Sequence, residues 1–245
     1  MTFSDRVCII TGASRGIGRG IARHMAKEGA TVVINYRSSA EKANDVVGAI
    51  EDAGGEAMAV QADVTDFDGV QRMHDVVHEE LGQADFVINN AGITHDTTFS
   101  RMSREEWLDV IDVNLNGMFN VTKTFFEDIK ASDQGRLINV SSIVGKQGNF
   151  GQANYATAKS GMFGFTRTIA LELAPSGSTA NCIAPGFTRT DMLAEVNPEI
   201  QEQIREKIPL KRFAEVEDIT GVVRFLASED ASYITGEVID VNGAM

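Results

Sequence analysis

The apolar run Val7-Cys8-Ile9-Ile10 passes without a break into Thr11-Gly12-Ala13-Ser14-Arg15-Gly16-Ile17-Gly18, after which Ile21, Ala22, Met25 and Ala26 recur at helical spacing. Strand, glycine-rich turn and helix in immediate succession is the order that a βαβ dinucleotide site requires. Glycines let the backbone turn tightly and approach a pyrophosphate, and the free amides of the helix N-terminus face the anion. The rest of the chain repeats the alternation. Apolar runs at Thr31–Asn35, Ala57–Gln61, Phe86–Ile88, Arg136–Val140, Thr179–Ile183 and Val238–Val241 are separated by helical stretches. Those stretches include Glu41–Ala53, about 104–130, Ala153–Ala174 and Glu217–Ala227. The pattern predicts an α/β protein: one doubly wound parallel sheet of about seven strands, helices on both faces, in a single domain spanning 1–245. Residues from about Thr190 to Pro209 read as helical with few core positions, the pattern of a mobile lid over about 188–212.

A chain of 245 residues with 43% hydrophobic content can bury one large core, and its four prolines mark no linker. The stretch Thr2-Phe3-Ser4-Asp5-Arg6 leads almost directly into a strand, without the basic and apolar regions of a signal peptide. No apolar run is long enough to cross a membrane, so a cytoplasmic protein without a membrane partner is expected. Cys8 and Cys182 fall inside expected strands and read as buried thiols in a reducing compartment. The net charge of -13, from 35 acidic against 22 basic residues, opposes binding to nucleic acid or anionic lipid. Only eight of the basic residues are Lys. An acidic, lysine-poor exterior is what proteins of salt-loving organisms carry, and a halophilic protein is the expectation.

The second strand runs into Tyr36-Arg37-Ser38-Ser39 with no acidic residue. An acid there would accept hydrogen bonds from an NAD ribose, whereas a 2'-phosphate wants a cation. Arg37, with Arg15 of the glycine turn and the hydroxyl of Ser38, therefore predicts NADP(H). Asp63-Val64, at the exit of the third strand, is placed to meet an adenine edge. The run Asn89-Asn90-Ala91-Gly92 combines small residues for close backbone approach with amides that tie strands together. Pro185-Gly186-Phe187-Thr188, at the exit of the next-to-last strand, is a place where a nicotinamide amide could be bound. His74 and His78 lie one helical turn apart, but no third ligand accompanies them in the sequence and no metal is expected.

Tyr155 and Lys159 in Asn154-Tyr155-Ala156-Thr157-Ala158-Lys159 share one helix face. A nearby ammonium favours a phenolate, lowering the phenol's ordinary value of ~10 and making Tyr155 a usable proton donor. Ser142, thirteen positions upstream at a strand's end, brings a hydroxyl to the carboxyl edge of the sheet. Asn114 is a poor helix former in an apolar stretch and needs a hydrogen-bond partner, water included. Ala158, Gly161 and Gly164 are small enough for tight helix packing.

In order and spacing, the glycine turn, Asn89-Asn90-Ala91-Gly92, Asn114, Ser142, Tyr155 with Lys159, and Pro185-Gly186 resemble the short-chain dehydrogenase/reductases over the whole chain. The resemblance implies a Rossmann-type fold and an oxidoreductase. It also implies that Tyr155 is the general acid, that Ser142 orients the carbonyl and that Lys159 binds the ribose and depresses the Tyr155 pKa. Asn114 would hold a water in a proton relay. Ile183 and Thr188 would contact the nicotinamide; Asp63, Val64, Asn90 and Gly92 would contact the adenosine side and ribose. A homotetramer is likewise implied, with Phe225-Leu226 and Tyr233-Ile234 offering apolar surface.

Within that family the chain is most similar to 3-oxoacyl thioester reductases. Gly148-Asn149-Phe150-Gly151-Gln152-Ala153-Asn154-Tyr155 resembles the segment of acetoacetyl-CoA reductases of polyhydroxyalkanoate synthesis, with Asn149 departing from it. Asn149, Phe150 and Gln152 join Ser142 and Tyr155 as expected substrate contacts. Of two arginines that carrier-protein reductases use for docking, Arg136 matches one and Leu171 replaces the other. Arg189, Lys207, Lys211 and Arg212 offer cations near the lid for a coenzyme A. The expectation is reduction of acetoacetyl-CoA or a similar 3-oxoacyl-CoA by NADPH to the (3R)-3-hydroxyacyl-CoA. The alternative is 3-oxoacyl carrier-protein reduction, and a non-catalytic NADP-binding regulator is a third reading.

Overall fold

The structure, a computed structural model, describes residues 2–194 and 196–245; Met1 of the expected domain span and Glu195 of the expected lid lie outside the described residues. Seven strands, β1 (Val7–Ile10), β2 (Thr31–Tyr36), β3 (Glu56–Gln61), β4 (Phe86–Asn89), β5 (Arg136–Val140), β6 (Thr179–Pro185) and β7 (Val238–Val241), form one parallel sheet. Their order is β3-β2-β1-β4-β5-β6-β7. The connecting helices are α1 (Gly16–Lys27), α2 (Ala40–Glu51), α3 (Phe67–Glu80), α4 (Arg104–Ile111), α5 (Gly117–Ala131), α6 (Val144–Gln147), α7 (Ala153–Leu173), α8 (Asp191–Ala194), α9 (Pro198–Lys207) and α10 (Val216–Ala227).

Side chains alternate across the sheet, and each strand feeds two cores, which is why the strands read as unbroken apolar runs. Cys8, Ile10, Val32, Ile34, Phe86, Ile88 and Ile138 pack with Ile21 and Met25 of α1, Val46 and Ile50 of α2, and Ile219 and Val223 of α10. Val7, Ile9, Val33, Val87 and Leu137 point the other way, onto Met73 and Val77 of α3, Phe125 and Ile129 of α5, and Leu173 of α7. Both cysteines are free thiols with no exposed surface. Among the described residues no helix is long and apolar enough to cross a membrane. The strand order reverses between β1 and β4, so the loops leaving them diverge and open a cleft at the carboxyl edge.

Three expected segments differ in detail. β2, β4 and β6 run one or two residues past their apolar cores, because the polar and proline residues at their exits still pair with neighbours, as Asn89 does with Asn139. The expected helix over about 104–130 is interrupted by a π-helical turn at Asp112–Asn116. There the Asn114 amide donates to the Val110 carbonyl four residues back, at 2.8 Å, and to the Ile93 carbonyl at 2.9 Å, competing with the backbone ladder. The lid region forms two helices, α8 and α9, in place of one. No residue of α9 is buried, but Leu193, Ile208 and Phe213 make a small core of their own, joined by Phe187, Val196, Ile204 and Met245.

Candidate active site

The floor of the cleft is a clamp between the β1 turn and the exit of β4. Thr11 Oγ1 accepts from the amides of Asn90 and Ala91, both at 3.0 Å, while Asn90 Nδ2 donates to the carbonyls of Thr11 and Gly12 at 2.9 and 3.2 Å. Gly12 sits at φ +62°, and a Cβ there would lie 2.9 Å from Ala91 Cα; one on Gly18 would lie 2.4 Å from Asn90 Nδ2. Side chains at these two positions would push the turn off β4. No side chain caps α1, so its first amides are free to meet an anion, with Ser14, Arg15, Gly16 and Ile17 around them. This is the donor set that a dinucleotide pyrophosphate needs, and the group fits.

At the end of β2, Tyr36 is half-buried and Arg37 and Ser38 are exposed. Among the described residues neither Arg15 nor Arg37 has an ion-pair partner, so both guanidinium groups are available to an incoming phosphate. Asp63 spends one carboxylate oxygen on the amide and hydroxyl of Thr65, at 3.0 and 2.8 Å, and Val64 is 6% exposed. At the other end of the cleft, Gly186 closes on β7, where a Cβ would sit 2.8 Å from Asn242 Cα, and its amide donates to Val241. Pro185 is the last residue of β6, and Thr188 is buried with its hydroxyl on the Gly186 carbonyl. Ile183 departs from expectation. It is fully buried in the core and cannot touch a bound ring.

Four polar side chains converge behind Gly92 and β5. Lys159 is 3% exposed and donates from Nζ to the Val140 carbonyl at 2.9 Å. Its Nζ stands 5.6 Å from the centroid of the Tyr155 ring. A Cβ built on Gly92 would lie 2.5 Å from Asn114 Oδ1 and 3.5 Å from Lys159 Nζ, so both groups crowd the same backbone atom. Asn114 is fully buried, and its Oδ1 has no partner, an acceptor suited to a bound water. Ser142 accepts from the amide of Val144 at 3.2 Å and bonds the Tyr155 phenol.

The electrostatics differ from the expected picture in one respect. Burial pushes Tyr155 up to about 12, the Ser142 hydrogen bond pulls it part of the way back, and the Asp96 carboxylate raises it further. Lys159 does not lower it here. Burial lowers Lys159 itself to about 8, and its ammonium is turned onto Val140. Tyr155 is therefore a neutral phenol at ordinary pH, charged with the proton that a general acid must give.

Asn154 is a positioning residue that sequence reading did not single out. It is fully buried, donates to the carbonyls of His95 and Glu106 at 3.1 and 3.0 Å, and accepts from the Tyr155 amide at 2.8 Å. The start of α7 is thus tied to the loop after β4 and to α4. A Cβ on Gly161 would press on Leu115, in keeping with tight packing, whereas one on Gly164 would meet nothing within 4 Å.

The expected substrate residues fare unevenly. Phe150 is 87% exposed. Gln152 is buried, with its amide on both oxygens of Asp96 at 2.9 Å and its carbonyl taken by Asn149. Gln152 thus holds Asp96, another residue without a sequence signal, and is itself braced by the exposed Asn149. Arg136, expected to dock a carrier protein, is 2% exposed and bonds the Gly135 carbonyl, so it cannot meet a partner surface. Of the lid cations, Arg189 is paired with Glu215 and Arg212 with Asp218. Lys211 donates to the Glu206 carbonyl, and Lys207 is exposed. The third group missing beside His74 and His78 is supplied across the fold by Asp128 of α5.

Residues 12–245 match the family described as enoyl-(acyl carrier protein) reductase. A 3-oxoacyl-(acyl-carrier-protein) reductase of Staphylococcus epidermidis is 47% identical over 241 residues, 98% of this chain and 99% of its own length. The protein of the same name from Staphylococcus aureus is 47% identical over 237 residues, 97% of this chain and 96% of its own. One from Synechocystis is 45% identical over 244 residues, 99% and 98% of the two chains.

Proposed function

This chain belongs to the short-chain dehydrogenase/reductase family, and on that premise we propose that it reduces the 3-keto group of a 3-oxoacyl thioester with NADPH, giving the (3R)-3-hydroxyacyl thioester. The observation that carries the reading is one linked set of side chains: Asn114 and Lys159 crowd Gly92, the Lys159 Nζ lies 5.6 Å from the Tyr155 ring centroid, and Ser142 bonds the Tyr155 phenol. NADPH, when bound, supplies the hydride. Gly12, Ser14, Gly16, Ile17 and Gly18 would hold its pyrophosphate, Arg15, Arg37 and Ser38 its 2'-phosphate, and Tyr36, Asp63 and Val64 its adenosine. Asn90, Ala91 and Gly92 would lie along the ribose, and Pro185, Gly186 and Thr188 at the nicotinamide.

The chain's own residues do the rest. Ser142 donates to the keto oxygen and holds it against Tyr155. Tyr155 gives its phenolic proton to that oxygen as the carbonyl carbon is reduced. The phenolate left behind is stabilised by Ser142, and by the Lys159 ammonium once Nζ turns from the Val140 carbonyl toward the phenol, and it recovers a proton through water held at Asn114 Oδ1. A pocket that keeps the phenol neutral until the carbonyl oxygen becomes basic favours this direction of proton flow. Intact machinery of this kind argues against a non-catalytic regulator, since a buried polar cluster is costly to keep.

The names of the relatives support a carrier-protein thioester as the substrate. A second reading, a coenzyme A thioester such as acetoacetyl-CoA, is favoured by the surface. Arg136 is buried, Leu171 is 76% exposed and apolar, and a net charge of -13 repels an acidic carrier protein. Steady-state kinetics with acetoacetyl carrier protein and acetoacetyl-CoA tests both: the higher kcat/KM identifies the substrate, and turnover of neither removes the thioester reading altogether.

A further inference from the structure

At the sheet edge opposite the cleft, the last turns of α3 meet the last turn of α5. Asp128 of α5 is 8% exposed there. Among the described residues its only ion-pair partners are two histidines of α3: His78 Nε2 lies 2.8 Å and His74 Nε2 3.4 Å from Asp128 Oδ2. The two rings are stacked, with centroids 4.2 Å apart and planes 27° from parallel. Phe125, one turn before Asp128, closes the inner side at 5.0 Å from the His74 ring. The carboxylate is held in place. The Ala84 amide is 3.4 Å from the same Oδ2, and Gln83 Nε2 donates to the Asp128 carbonyl at 2.7 Å. On the far side of its ring, His74 Nδ1 lies 3.5 Å from Asp75 Oδ1, an outer carboxylate of the kind that orients metal-bound imidazoles.

The Asp128 carboxylate is nearly removed from water, and its Oδ2 gathers a nitrogen of each imidazole. The three ligand atoms lie within 4.8 Å of one another. A tetrahedral divalent ion with bonds of about 2.0–2.1 Å sets its ligands about 3.3 Å apart. The His74 to Asp128 separation already matches that edge, and His78, the more exposed ring, needs to withdraw by about half an ångström to match it. The third edge, between the two imidazoles, is within 4.8 Å, and closing it on an ion requires the stacked rings to rotate so that both nitrogen lone pairs face it. We propose that His74, His78 and Asp128 form a site for a zinc-class divalent metal, with water in the fourth position, that pins α3 to α5. Two imidazoles one helical turn apart and one carboxylate are ligands that zinc, cobalt and nickel accept and that calcium and magnesium do not. Remote from the cleft, the site is structural.

The test uses the full chain, stripped with a chelator and titrated with zinc or cobalt chloride. The proposal expects one saturable equivalent, a raised Tm and the intense visible absorption of tetrahedral cobalt. His78→Gln keeps a donor for Asp128, and it should weaken metal binding by about tenfold or more while leaving activity unchanged. Equal affinity in His78→Gln would place the metal elsewhere and overturn the proposal. If that variant does not fold, His74→Gln carries the same comparison. A wild-type chain with neither a Tm shift nor the cobalt band refutes the site without any variant.

Discussion

Replacing Lys159 with Met should make the protein more stable at neutral pH while abolishing turnover. The ammonium is 3% exposed, and burial lowers its pKa from 10.5 to about 8. At 1.36 kcal/mol per pH unit, that depression means the fold carries a penalty of about 3 kcal/mol at pH 7 for holding a charged amine out of water. Met fills similar volume without charge but leaves the Val140 carbonyl, now bonded at 2.9 Å, without its donor, a loss of about 1–3 kcal/mol. The variant should therefore gain about 1 kcal/mol at pH 7. The sign with pH follows from the lowered pKa. Below pH 8 both folded and unfolded chains are protonated at this site and the whole penalty is present. Between about 8 and 10.5 the unfolded chain keeps a proton that the folded chain has released, so this group's contribution to wild-type stability rises with pH. The variant lacks that rise, and its advantage should shrink by about 1 kcal/mol between pH 7 and 9. Urea denaturation of both proteins at the two pH values, at fixed salt, measures this directly. A variant less stable than wild type at pH 7, with parallel pH slopes, would refute the reasoning.

Arg37→Ala should weaken NADPH binding by about 10- to 100-fold, the loss of a charge-assisted phosphate contact worth about 1.5–3 kcal/mol, and leave NADH binding unchanged; equal use of both cofactors by the wild type would contradict the 2'-phosphate assignment. With 35 acidic and 22 basic residues, the fold should gain stability with KCl between about 0.1 and above 1 M, and a Tm indifferent to that range would remove the halophilic reading. The family resemblance implies a homotetramer, and Phe119, Leu171, Phe225 and Tyr233 leave exposed apolar side chains that subunit contacts would cover; light scattering that returns a monomer at working salt would count against it.

The sheet was legible because its information is local. β1, β5 and β7 coincide with apolar runs read directly from the chain, and the glycine turn announces itself between strand and helix. The candidate site was legible where a residue type has few other uses, as with Tyr155 four positions before Lys159. What stayed hidden depends on partners far away in sequence. Asn154 bonds carbonyls 59 and 48 positions away, and the π turn at Asn114 needs the Ile93 carbonyl 21 positions back. Asp128, 50 positions from His78, turns an unremarkable pair of histidines into a cluster. The burial of Arg136 has the same origin. It opens β5, an interior strand of the sheet, and an arginine at a strand start reads as exposed until the elements packed around it are known.

The central claim is that Tyr155 protonates the keto oxygen of a 3-oxoacyl thioester reduced by NADPH. Its most direct test is NADPH oxidation by wild type and Tyr155→Phe with acetoacetyl-CoA and acetoacetyl carrier protein, alongside fluorescence titration of NADPH. The wild type should turn over at least one thioester. Tyr155→Phe should bind NADPH with unchanged Kd and lose about 100- to 10,000-fold in kcat, the range for removing a general acid. A Phe variant that keeps wild-type turnover, or a wild type that oxidises NADPH with neither thioester, would contradict the account.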